Sequence, residues 1–343
     1  MGANESAMIQ VNFNRSTEFY FPGEHVSGEI LFQNKHDRLK LVEIFIEIVG
    51  ELAYTTAESR SSTDSNGNST TEYYTDYHHI PFFTNHLPLA RPDSLQEKII
   101  LNRGTYTWPF DVSLPENLPP SSSPNVGAYP HIKYYAQIVL NRPRFKVNVT
   151  RTYPLMIYLR MNHFRMDDVQ NPLSFDKQNR KQLRLHGYLR HSQIVPGQSL
   201  SVQINVHNPE RTEIKRIDAA FIQHRKTALN HNDEVIFSIN LPGLNEFNEL
   251  YFQRDFGLPV PSINLTPTHT FSTLHSDHSY NFNVDYELLL RVKSHGIFTN
   301  FEVSIPVVVG TEAILGGHQQ NNGFDETDLP PSYETVTKTM QAS

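Results

Sequence analysis

The feature that most constrains this chain is that it repeats itself. Residues 22–34 read PGEHVSGEILFQN and residues 196–208 read PGQSLSVQINVHN, an ungapped match at an offset of 174. Pro22, Gly23, Val26, Ile30, Phe32 and Asn34 align with Pro196, Gly197, Leu200, Ile204, Val206 and Asn208. Both copies open on a Pro-Gly turn and then place apolar residues at every second position, the period of a strand with one buried face. That face is Val26, Gly28, Ile30 and Phe32 in the first copy, and Leu200, Val202, Ile204 and Val206 in the second. The match extends beyond the opening. Leu41–Ile46 and Ile217–Ile222 each supply a next strand. Trp108–Val112 corresponds to Phe252–Phe256, each followed by a Pro-rich turn. Ile132–Tyr135 and Val284–Glu287 each lead into a long apolar strand, and Tyr153–Leu159 and Phe301–Val309 close the two halves.

Two halves with one order of features imply two domains of one fold. Short strands, turn residues between them and no helical period imply an all-β chain of two tandem antiparallel, immunoglobulin-like β-sandwiches. A single jelly roll is the alternative for an all-β chain of this length, but a 174-residue offset leaves each copy long enough to close its own core. The expected division is a first sandwich at 1–165, a polar linker at 166–182, a second sandwich at 183–312 and a tail at 313–343. Residues 56–72, TAESRSSTDSNGNSTTE, read as a polar loop within the first sandwich. From Glu312 the chain is poor in apolar residues and reads as a disordered tail.

The chain has no cysteine. Disulfides, thiolate metal sites and thiol nucleophiles are thereby excluded, and the reading leans to the cytosol. The first twenty residues hold no apolar signal region, and no apolar run approaches the 18 residues of a membrane span. A net charge of −7 gives no general attraction to nucleic acid. There is no G-x-S-x-G, P-loop or H-E-x-x-H, so no catalytic residues are assigned. His78-His79 and the pair His275 and His278 lie in irregular polar stretches without a third patterned ligand, so neither a metal nor another cofactor is expected.

At this point the residues resemble the arrestin superfamily. The resemblance rests on the opening around Tyr20, Phe21, Pro22, Gly23, Val26 and Gly28, on Trp108-Pro109-Phe110, on the Pro196-Gly197 restart and on the closing strand Ile305–Thr311. It covers roughly residues 8–312. The tail then carries Pro330-Pro331-Ser332-Tyr333, a Pro-Pro-x-Tyr motif that is similar to those of the α-arrestins, the arrestin-domain-containing group. The tail holds no clathrin-box-like segment and the first half no amphipathic helix, which also fits that group. Family members commonly carry two such motifs; this sequence has one.

The motif has a physical reading of its own. Two prolines hold the backbone in extended polyproline II before any partner arrives, lowering the ordering cost of binding. The ridge suits an aromatic WW-domain groove, with the Tyr333 ring in a neighbouring pocket. With 22 Pro and 16 Tyr in 343 residues, chance gives roughly 0.07 such matches, so coincidence is a weak explanation. One such motif binds with about 6–8 kcal/mol, and useful recruitment calls for avidity.

The resemblance implies a bridging adaptor. The sandwiches hold the cytoplasmic tail of a membrane protein (a receptor or transporter) and the tail motif holds a WW-domain HECT-type ubiquitin ligase. Such a protein works in the cytoplasm and is recruited to plasma membrane and endosomes. Basic residues are the candidate contacts for acidic or phosphorylated cargo and for lipid head groups. Lys35, Arg38 and Lys40 fall in the connection after the first repeat strand. Arg142, Arg144 and Lys146 alternate near a hairpin, and Lys177, Arg180, Lys181 and Arg184 lie around the joint. Solvated strand edges and loops are the alternative account of such clusters, and the commoner one for charge runs. Gly2, within Met1–Ser6, matches the loose myristoylation pattern, which would add a weak membrane hold. The competing reading is a retromer-like structural sorting subunit, which has no use for a WW ligand.

Overall fold

The computed structural model describes residues 7–17, 19–63, 69–92, 97–122, 128–143, 146–160, 172–296 and 299–311. Among them there is no helix; the chain is all-β and forms two β-sandwich domains. Its strands are β1 (Ala7–Phe13), β2 (Phe19–Tyr20), β3 (His25–Leu41), β4 (Glu43–Thr63), β5 (Ser69–Ala90), β6 (Ile99–Ser113), β7 (His131–Asn141) and β8 (Val149–Ile157). In the second half follow β9 (Leu173–Gln178), β10 (Arg184–Leu189), β11 (Gln193–Ile194), β12 (Ser199–His207), β13 (Ile214–Lys226) and β14 (His231–Asn240). The series ends with β15 (Tyr251–Pro259), β16 (His269–His275), β17 (His278–Ser294) and β18 (Phe301–Val309).

The duplication read from thirteen residues extends to the whole topology. The first half pairs a three-stranded sheet, β1-β3-β6, with a five-stranded sheet, β2-β8-β7-β4-β5. In the second half the same orders recur as β15-β12-β10-β9 and β11-β18-β17-β13-β14, with β9 and β16 as additions. The offset of 174 holds at the level of single bonds. Glu24 N–H donates to Phe21 O and Gln198 N–H to Val195 O, closing the two Pro-Gly turns. Gly23 and Gly197 sit at φ of 84° and 87°, where a side chain would be strained. Tyr20 and Ile194 lead into these turns from two-residue strands that pair parallel to the closing strands β8 and β18.

Each core is the sum of the alternating faces. Val26, Ile30 and Phe32 of β3 are fully buried opposite Ile44, Ile46, Ile48 and Leu52 of β4, and Leu200, Val202, Ile204 and Val206 of β12 are buried likewise. Each such side chain contributes about 1.5–3 kcal/mol relative to exposure, which fixes strand register because a one-residue slip would turn the whole row to water. Two buried tyrosines repeat the plan. Tyr134 of β7 donates to Pro119 O and Tyr286 of β17 to Thr266 O, both at 2.6 Å.

Three expectations are corrected. Residues 56–72 are mostly strand, not loop: 56–63 and 69–72 are the paired outer ends of β4 and β5, and 64–68 lie outside the described residues. Hydroxyl pairs hold them across the strands, Ser61–Thr71 at 3.1 Å, Ser62–Thr70 at 3.2 Å and Thr63–Ser69 at 3.1 Å. Lys35, Arg38 and Lys40 do not follow the first repeat strand but belong to it, since β3 continues past a register irregularity between Asn34 and Arg38 and pairs with β6 as far as Leu41. The polar stretch 166–182 contains β9, which pairs with β10 from Leu173↔Leu189 to Gln178↔Arg184; burial of Phe175 and the Asp176–Arg184 ion pair supply the strand signal that polarity masked.

Candidate functional site

Among the described residues, β1 accompanies β3 as far as Asn34, and β3 goes on to pair with β6 from Arg38 to Leu41. Leu39 and Leu41 turn inward, which forces Arg38 and Lys40 outward on one face. Lys35, Arg38 and Lys40 are exposed and form no ion pair among the described residues. Register places Arg38 opposite Asn102 and Lys40 opposite Ile100, so the β6 residues Arg103 and, just before the strand, Lys98 join the same corner. Both are exposed, and the sequence analysis missed them because they are some sixty residues away along the chain. Asp37 and Glu97 are the acids nearby in sequence, which leaves this corner net basic.

The second cluster is not a strand face. Arg142 and Lys146 lie in the β7–β8 connection, where Arg142 N–H donates to Asn148 Oδ1 at 2.9 Å and Lys146 N–H donates to Pro143 O at 3.2 Å. Pro143 stops the ladder, so alternation there carries no facing information. Arg144 lies outside the described residues, as do Gly2 and the motif Pro330-Pro331-Ser332-Tyr333. In the third cluster Lys177 donates to Glu302 O at 2.7 Å and Arg184 is engaged by Asp176.

On the outer face of the five-stranded sheet lies an open cleft of about 680 Å³ that the sequence analysis did not identify. At its floor Glu51 of β4 is only 8% exposed and receives Lys133 Nζ at 2.8 Å, His79 Nδ1 at 2.7 Å and the Tyr135 hydroxyl at 3.2 Å. Burial pushes the Glu51 carboxyl up, but hydrogen bonds from Lys133 and His79 outweigh it and hold its pKa below the ordinary range. Burial, and then the charge and hydrogen bond of Glu51, push Tyr135 up to about 12, so its hydroxyl stays a donor at neutral pH. Tyr129, Gln137, Thr152 and Met156 complete the walls. The Lys133 ammonium offsets the Glu51 carboxylate at the floor of the cleft.

The second domain buries a cation. Arg225 of β13 is fully buried, with its guanidinium 2.8 Å from Asn232 Oδ1 and 3.3 Å from Glu234 Oε2. Burial lowers its pKa, and the charges of Glu234 and Tyr286 oppose that. Gln223 bonds the Tyr286 hydroxyl beside it. Among the described residues no three His, Asp or Glu side chains gather as a metal site. His79 is held by Glu51, His78 by Thr56 and Asp76, and His278 by Ser276 O.

Comparison with known proteins follows the same division. The family model described as "Arrestin (or S-antigen), N-terminal domain" matches residues 9–162, and "Arrestin (or S-antigen), C-terminal domain" matches residues 179–314. "Arrestin domain-containing protein 17" of Caenorhabditis elegans is 28% identical over 136 residues, which is 39% of this chain and 30% of that relative. Two arrestin domains in tandem, duplicated down to their turn glycines and followed by a Pro-Pro-x-Tyr tail, place this chain in the arrestin family, as an arrestin-domain protein of the α-arrestin type.

Proposed function

We propose that this chain is a non-enzymatic trafficking adaptor that connects membrane-protein cargo to a WW-domain HECT-type ubiquitin ligase, so that the cargo is ubiquitinated, internalised and sorted through endosomes. The observation that carries this reading is the single Pro330-Pro331-Ser332-Tyr333 motif placed after the two matched arrestin domains. A preset polyproline ridge suits WW domains, and a position after the last matched domain leaves the folded modules free for cargo. The basic corner of Lys35, Arg38, Lys40, Lys98 and Arg103 is the cargo or lipid contact in this reading, because exposed cations with no ion pair among the described residues lose little on meeting phosphorylated or acidic groups. The protein acts in the cytoplasm and is drawn to plasma membrane and endosomes by its cargo, with Gly2 as the position where a myristoyl chain would add to the basic corner.

Proximity labelling in cells tests the whole bridge. The wild-type chain is expected to label both a HECT-type ligase and integral membrane proteins, and Tyr333→Ala to keep the membrane proteins while losing the ligase. Undiminished ligase labelling by Tyr333→Ala would remove the tail from the account. Labelling of a stable coat complex with no ligase in either case would favour the structural sorting subunit.

A further inference from the structure

The β4–β5 hairpin outgrows its sheet. β7 accompanies β4 only from Glu43 to Ala53, and β5 is the last strand in the sheet order. Where β5 belongs to the sandwich, its open edge is blunted. Pro81 and Pro88 lack an N–H, and the register is broken at Ile44/Phe45 and at Gly50/Glu51. From Ser69 to Tyr77 every such device is missing. The stretch has no proline, glycine, lysine or bulge, and its register with β4 runs unbroken from Thr63↔Ser69 to Thr55↔Tyr77. Nine residues at about 3.4 Å each give about 30 Å of edge that pairs with no further strand among the described residues, with Tyr77 N–H taken by its neighbour Asp76 Oδ1 at 3.0 Å. All nine side chains are exposed, Tyr73 by 83%.

The exposed ribbon is also two-faced. Tyr73 and Tyr77 lie on a face with no charged residue, while Glu58, Arg60, Glu72 and Asp76 lie on the other. A strand added to this edge keeps both faces continuous only in certain registers. For a second copy of the chain, related by a two-fold axis, the registers can be compared directly. An axis at Glu72 sets Glu72 against Glu72, and one at Tyr74 sets Glu72 against Asp76, both unfavourable. An axis at Thr75 draws Ile80, which is buried, and Pro81 into the pairing. An axis at Tyr73 uses only Ser69–Tyr77. It sets Tyr73 against Tyr73, Thr71 against Thr75 and Glu72 against Tyr74, which are pairings that stabilise antiparallel sheets or leave them unstrained.

We propose that this arm is a dimerisation strand: two copies of the chain pair antiparallel along Ser69–Tyr77 about a two-fold axis at Tyr73. Nine residues per copy is well below the 20–30 of a standard interface, so the dimer is reversible and concentration-dependent. It doubles the tail motif, and two linked weak ligands engage a partner with several WW domains by avidity. The pairing itself is independent of the adaptor role.

Sedimentation velocity of the full chain between about 1 µM and 300 µM tests it. The wild type is expected to shift from monomer to dimer across that range. Tyr73→Lys and Tyr73→Glu, each placing like charges face to face on the axis, are expected to weaken the dimer by about tenfold or more, and an equimolar mixture of the two to restore it. Unchanged Trp108 fluorescence would confirm that both variants fold. A wild type that stays monomeric, as it would if the edge serves another protein's strand, overturns the proposal. So does a mixture that associates no better than either variant alone.

Discussion

Replacing Asn34 or Asn208 by alanine should destabilise one domain and spare the other. These two residues occupy the same place in the repeat, and both are buried, at 2% and 0% exposure. The two N–H bonds of Asn34 Nδ2 are shared among the carbonyls of His36, Leu101 and Asn102, and its Oδ1 accepts from His36 N–H, at 2.8–3.1 Å. Asn208 donates to Thr212 O and accepts from Thr212 N–H, both at 2.9 Å. A net bond is worth about 1 kcal/mol, and a buried group left without its partner costs about 1–3 kcal/mol. His36 and Asn102 are exposed enough for water to replace part of the Asn34 set, whereas both Asn208 bonds are buried. Each substitution is therefore expected to cost about 2–3 kcal/mol. With a urea slope of about 1.5–2 kcal/mol per molar, the midpoint falls by about 1–2 M. The chain offers a probe for one domain alone, because its single tryptophan, Trp108, packs against Tyr106 and Phe32 in the first sandwich. Asn34→Ala should lower the midpoint read by tryptophan fluorescence. Asn208→Ala should leave that midpoint in place and lower a transition seen only by far-ultraviolet circular dichroism. Equal displacement of the fluorescence midpoint by both variants would refute the assignment of the two asparagines to separate cores.

Two further perturbations follow from local geometry. A Cβ on Gly187 would lie 2.0 Å from the Gln203 carbonyl of the neighbouring strand, so Gly187→Ala must part β10 from β12; a loss of about 3 kcal/mol or more, or no soluble protein, is expected from denaturation. Glu51 has its pKa lowered by folding, so its contribution to stability is present above the unfolded value near 4.5 and disappears as pH falls through the lower folded value. Lys133→Met removes the first of the hydrogen bonds that hold it down, and the acid unfolding midpoint read from Trp108 should move to higher pH.

The sequence made the repeated strands legible because one face of each is buried, and burial writes a period of two into the residues. Turns at Gly23 and Gly197 were legible for a different reason, since only glycine sits easily at a φ near 85°. The outer arm of β4 and β5 left no such trace. Both of its faces are wet, so serine and threonine there look the same as in a loop, and only cross-strand hydroxyl bonds distinguish the two. The Glu51 cleft was invisible for a topological reason. Lys133 and Tyr135 reach Glu51 across adjacent strands more than eighty residues apart, and no local pattern encodes that pairing. The same applies to the meeting of Arg38 with the Arg103 end of β6.

Bridging requires the tail motif to act as a docking peptide, and calorimetric titration of a WW-domain module with the full chain tests that directly. Binding of about 6–8 kcal/mol is expected for the wild type, with loss of measurable heat for Tyr333→Ala. Equal affinity for the two proteins, or no binding by the wild type, would contradict it.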